Sequence, residues 1–156
     1  PGEQGLDRLL ANALRQVEML LDDAFAIPRE EVNHAPPTKG AYALVFALNT
    51  ALDCLHKGAE IRLSSGIYVY AGSAYGPGGL RARLRRHFRQ DKRIHWHVDA
   101  LTSVAADRMV ALAIVGGREC AIIGRLMRSG DFHAPVSGFG SSDCAQCAAH
   151  LLALRS

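Results

Sequence analysis

No apolar run in these 156 residues approaches the roughly 18 to 20 needed to cross a bilayer, so no membrane partner is expected. The opening stretch PGEQGLDRLLANALRQVEML is too acidic and too polar for a secretory leader. A start at Pro1 rather than Met is what a piece of a longer chain would show. There is no internal repeat. No glycine-rich loop ends in the G-K-[ST] of a nucleotide-binding P-loop, which argues against ATP or GTP use. Cysteine is sparse, only Cys54, Cys120, Cys144 and Cys147, and a cytoplasmic location with reduced thiols and no disulfide framework is expected.

What is present is apolar substance and a local concentration of positive charge. Apolar residues make up 49% of the chain, enough for one globular domain with a core. Net charge is only +3, but Arg81, Arg83, Arg85, Arg86, Arg89, Lys92 and Arg93 fall within one short segment whose single acid is Asp91. That is the footprint of a surface that meets a phosphate backbone, or else a solvated helix face.

Along the chain, LDRLLANALRQVEMLLDDAF at residues 6–25 has the spacing of an amphipathic helix, and IPREEVNHAPPTKG reads as a linker over the surface. This divides the chain into an N-terminal helix and linker at 1–38 and a compact domain at 39–156. AYALVFAL and IRLSSGIYVYAGS are strand-like, with NTALDCLHKGAE inserted between them. Gly76, Pro77, Gly78 and Gly79 then punctuate the chain before LRARLRRHFRQ, a helix whose buried stripe is Leu80, Leu84 and Phe88 and most of whose arginines therefore face outward. That glycine-rich turn can also present a helix N-terminus to a nucleic-acid phosphate. Beyond it the pattern predicts a short helix at HWHVDALTS, a buried strand at RMVALAIVGG and a helix at RECAIIGRLMRSG closed by Gly130. Ser141, Ser142 or Asp143 is placed to cap a final helix. The order predicts an α/β (α+β) fold: a small central three-stranded antiparallel or mixed sheet flanked by helices.

A phosphodiester hydrolase needs an oriented water, a base, a cation against the charge developing on phosphate, and an acidic ligand for a divalent metal. Tyr70 at a strand end before Gly72 and Ser73, Arg83 in the next helix and Glu119 at the start of a later one are residues of those types at element ends. Each has a plainer reading: strand aromatic, solvated arginine, acid at a helix N-terminus. His95, His97 and Asp99 alternate, so on a strand they share a face and offer a metal pair, a phosphate contact or structural hydrogen bonds. Cys144, Cys147 and His150 have zinc-ligand spacing, with a fourth ligand available only if folding brings Cys120 or His133 close, and the spacing reads first as one inward helix face of packed side chains.

The segments GAY at 40–42, YVYAGSAYGPGGLRARLRRHF at 68–88, KRIHWHVDAL at 92–101, GREC at 117–120 and GFGSSDC at 138–144 together resemble the GIY-YIG nuclease superfamily. The likeness is closer to a GIY-YIG-like family of unassigned function in archaea and bacteria, sometimes fused to an endonuclease III type repair glycosylase. It puts the first signature tyrosine at Tyr42 and the second at Tyr70, and leaves Gly66-Ile67-Tyr68 as a coincidence of spelling. The resemblance implies a Mg²⁺ or Mn²⁺ ion held by Glu119, Arg83 on the scissile phosphate, and Tyr42 and Tyr70 positioning or deprotonating the water. His87, one turn from Arg83, is the alternative base with the more suitable ordinary pKa. A phenol acts as base only where cations favour its phenolate, a field Arg83 and the metal would supply. Arg81, Arg85, Arg86, Arg89, Lys92, Arg93 and Ser73 are then expected to contact DNA, with Gly72, His95, His97, Ser142 and Asp143 supporting. The superfamily's late asparagine is missing, since none follows Asn49, and Ser142 or Asp143 stands in that region. The expected activity is a DNA endonuclease, in repair by the fusion. Its alternatives are a non-catalytic nucleic-acid-binding module and an interaction domain whose Leu9, Leu14 and Val17 face docks a repair enzyme or a second copy.

Overall fold

The run GAYALVFAL is buried at every position, and a strand with no polar alternation needs cover on both faces. The computed structural model, which describes residues 3–93, 98–137, 139 and 149–155, provides that cover. In chain order the elements are helix α1 (Glu3–Leu20), strand β1 (Phe25–Pro28), a 3-10 helix (Arg29–His34), β2 (Gly40–Leu48), β3 (Leu52–His56), β4 (Ala59–Leu63), β5 (Gly66–Ser73) and α2 (Gly79–Phe88). There follow α3 (Asp99–Ala105), β6 (Met109–Val115), α4 (Glu119–Arg128), β7 (Phe132–His133) and β8 (Leu151–Leu154). The sheet order is β1-β6-β2-β5-β8-β7, antiparallel throughout.

The class is the expected α+β, but the sheet has six strands rather than three. Two of the additions come from segments read otherwise. FAIP spans the end of the expected 6–25 helix, which stops at Leu20, and the start of the proline-rich linker; it pairs with β6 as an edge strand, and edges tolerate proline because one side needs no ladder bond. The expected final helix is, in its described part, the strand β8. LLAL has good helix propensity, but β5 offers it an open edge, and pairing Leu152 with Val69 overrides propensity. The insertion after β2 is the hairpin β3–β4, closed by Lys57 and Gly58, both at positive φ as a tight two-residue turn requires.

Alternation sorts the two faces. Tyr42, Leu44, Phe46 and Leu48 of β2 face a layer made by Leu80, Leu84 and Phe88 of α2 with Leu101 and Ala105 of α3. The smaller Ala41, Ala43, Val45 and Ala47 face α1 and α4 through Ala13, Val17, Ile122 and Leu126. The apolar stripe of α1 thus packs on the chain's own sheet: Val17 is fully buried and Leu14 partly, while Leu9 and Met19 stay exposed. Among the described residues no helix is long and apolar enough to cross a membrane.

The start of α2 departs from expectation in a way that bears on function. Its first amides already donate within the chain: Gly79 to Gly76 O, Leu80 to Thr38 O, Arg81 to Pro36 O and Ala82 to Gly78 O. The glycine-rich turn therefore stitches the 35–38 segment to α2 instead of holding open amides toward an anion.

Candidate active site

Tyr42 and Gly72 are direct cross-strand partners on β2 and β5, and the tyrosine ring lies across the glycine. A Cβ on residue 72 would come within 2.7 Å of Tyr42 Cε2 and closer still to its hydroxyl, so only glycine lets the ring lie flat there. In that position the Tyr42 hydroxyl reaches His87 Nε2 at 2.7 Å, with ring centroids 5.3 Å apart. The direction of this bond follows the imidazole tautomer: with the ring hydrogen on Nδ1, Tyr42 donates to Nε2.

Tyr70 pairs with Leu44, two residues from the Gly72–Tyr42 pair, so the two tyrosines are diagonal neighbours on one face. Tyr70 also meets the His87 ring edge-on, at 6.1 Å. Tyr42 is fully buried, whereas Tyr70 keeps partial exposure. Burial raises the Tyr42 phenol well above the ordinary range; nearby Tyr70 adds to this, and the charge and hydrogen bond of Arg83 oppose it. Burial, reinforced by Glu119 and opposed by Arg83, pushes Tyr70 up to about 12. Arg83 and Glu119 thus bear on both phenols, and burial outweighs the guanidinium. Burial thus favours the protonated form of both tyrosines. His87 is driven the other way, to about 3, by burial first and then by Lys92. The imidazole is neutral at any physiological pH.

Glu119 opens α4 with its carboxylate partly exposed, and Oε2 lies 3.6 Å from Nδ1 of buried His150. The His150 main chain ties this corner down, accepting from Ala71 N and donating to Phe139 O. Its Nε2 lies 3.9 Å from Cys120 Sγ. The imidazole therefore lies beside Glu119, on the segment that pairs with the strand carrying Tyr70, a placement the cysteine-histidine pattern does not signal. One open carboxylate fits Mg²⁺ or Mn²⁺, ions that keep waters and take further oxygens from a phosphate. Among the described residues no three His, Cys, Asp or Glu side chains group to hold a metal. Cys144 and Cys147 lie outside the described residues, as do His95, His97, Ser142 and Asp143.

The basic segment divides in two. Arg81 Nε donates to Ala35 O at 2.8 Å, and Lys92 Nζ donates to His87 O at 2.7 Å, closing the C-terminus of α2. Burial lowers Lys92 to about 8, with Asp99 opposing. Arg86 donates to fully buried Asp99 at 2.7 Å, joining α2 to α3. These three hold the fold together, and a carboxylate within the helical segment 99–105 is the one signal that an inward arginine partner was needed. Arg85, Arg89 and Arg93 face solvent, and Ser73 is half-buried opposite Ala41. Tyr68 is structural: buried, stacked on Phe46 at 5.9 Å, and donating to Ser64 O at 2.6 Å.

Compared with known proteins, the chain matches one family model, described as Domain of unknown function DUF123, over residues 41–156. No curated protein and no solved structure matches it.

Proposed function

The chain belongs to that family, and from this premise we propose that it is a metal-dependent DNA endonuclease-like domain of GIY-YIG type, hydrolysing phosphodiester bonds. One observation supports the reading above the others. Tyr42, Tyr70, Arg83 and Glu119 come from four separate elements, and Arg83 and Glu119 both act on the two phenols, with His87 against both rings.

In this reading Arg83 donates to the non-bridging oxygens of the scissile phosphate and offsets the charge that develops there. Tyr70, partly exposed and protonated, orients the attacking water through its hydroxyl. Tyr42 touches no substrate; held between Arg83 and His87, it keeps the guanidinium in place. His87 stays neutral and receives the Tyr42 hydrogen bond. Glu119, steadied by His150, would hold Mg²⁺ or Mn²⁺, which when bound supplies Lewis-acid stabilisation and a more acidic water. A part in DNA repair goes with the resemblance.

A panel of labelled duplex, nicked, flapped and branched DNAs incubated with Mg²⁺ tests this. Wild type is expected to cut at least one substrate, with Glu119→Ala and Arg83→Ala each slower by about 10²-fold or more and Glu119→Ala still binding. Salt-sensitive binding without cleavage of any member would favour the binding-module reading. The full burial of Tyr42, which keeps its hydroxyl from a substrate, speaks for that second reading.

A further inference from the structure

Beside α2, on the flank away from Tyr42, runs an open groove of about 510 Å³. Arg29 and Asn33 of the 3-10 helix form one wall, Arg85 of α2 and Arg89 just past its end the other, with Phe88 also lining it. Arg29 and Asn33 precede the residues that match the family, so this wall is an addition of the N-terminal segment. The segment is held in register by Arg81 donating to Ala35 O and by the α2 amides donating to Pro36 and Thr38 O.

Three arginines and an amide around one groove form a phosphate-binding set, since guanidinium forks and amide N–H groups match phosphate oxygens. Among the described residues no carboxylate pairs with Arg29 or Arg85. The one acid lining the groove, Asp91, lies 3.8 Å from Arg89 in an exposed pair that a phosphate can displace.

Arg83 and Arg85 leave α2 about 160° apart, on opposite flanks. The helix separates them by about its own diameter, roughly 10 to 12 Å, which is close to the roughly 12 Å width of the B-DNA major groove. We propose that the Arg29, Arg85 and Arg89 groove is a second phosphodiester-backbone site, and that the substrate is a double helix into whose major groove α2 enters. One strand then lies at Arg83 and the other in the groove. The Arg83 arm rests on the function proposed above; the groove itself does not.

The test is fluorescence anisotropy in EDTA, with a labelled 20-base-pair duplex and its separate single strand, across a salt series. Arg29→Glu and Arg85→Glu are compared with Arg15→Glu, an equal charge change on exposed α1 across the sheet. Each groove variant is expected to weaken duplex binding by about tenfold at 0.1 M salt and to flatten the salt slope by about 1. Single-strand binding, which can use either arginine site alone, should weaken clearly less than duplex binding, and duplex binding by Arg15→Glu should stay within about twofold. Equal losses on single strand and duplex, losses no larger than those of Arg15→Glu, or a wild type that binds neither would overturn the proposal. Unchanged melting temperatures exclude unfolding as the cause. Binding is read without metal, so a duplex-specific loss beside an inactive cleavage panel keeps the groove and removes the nuclease. Cleavage beside unaffected binding does the reverse.

Discussion

Tyr42 closes over Gly72, its partner across the β2–β5 ladder, and by doing so brings its hydroxyl to His87. Gly72→Ala must push the ring away and break that bond. A destabilisation of about 2 kcal/mol is expected from urea unfolding, the usual scale for overpacking a core. Gly76→Ala, where nothing lies within 4 Å of an added Cβ, is the control and should change little. Equal effects at the two positions would mean the close approach carries no energy.

The two candidate tyrosines on β5 separate cleanly. Tyr68→Phe removes a hydroxyl that donates to Ser64 O, and is expected to lower stability by about 1 kcal/mol while leaving cleavage intact. Tyr70→Phe should reduce kcat by about 10²-fold with little change in stability. Reversal of the two phenotypes would make the G-I-Y spelling the true signature.

His87 gives the protein an acid weakness. Unfolded, it takes up a proton near pH 6.5; folded, only near 3, because burial excludes the charge. Between these values the unfolded state binds more protons, so stability falls as pH falls, by about 1.4 kcal/mol per pH unit from this residue. Stability curves of wild type and His87→Gln should converge on acidification from pH 6.5 to 4. Parallel curves would show that His87 is protonated in the native state.

Arg86 and Asp99 join α2 to α3, with the carboxylate fully buried. Arg86→Met removes the arginine partner of that buried charge and is expected to cost about 3 kcal/mol in chemical denaturation. Arg93→Met, at an exposed position, should cost less than about 0.5 kcal/mol.

His150 lies against the Glu119 carboxylate, and partners of a ligand in this position commonly tune affinity by about 10- to 100-fold. His150→Gln is expected to weaken Mn²⁺ binding on that scale by electron paramagnetic resonance. Unchanged binding would limit His150 to tying Phe139 and Ala71 together.

Much of the architecture was legible because periodicity reports burial. The stripe Leu80, Leu84 and Phe88 and the strand at RMVALAIVGG each appear buried, as their pattern implied. The misses came where local preference and long-range pairing conflict. LLAL favours a helix alone, and FAIP looks like a linker, until β5 and β6 offer them open edges. Partners such as Arg86 with Asp99 and Glu119 with His150 were invisible for the same reason: no local spacing encodes them.

Composition and pattern determined by themselves that this is one α+β chain with a basic helix, a buried central strand and chemically capable residues at element ends. Those facts depend on side-chain polarity and on periods of two and 3.6, which are local properties. The tertiary structure alone decided which arginines face inward, that burial raises both phenols while it keeps His87 neutral, and that the N-terminal segment builds a wall beside α2. Such features depend on burial and on contacts between distant parts of the chain. Desolvation and Coulomb energy are set by distances in space, not by separation along the sequence.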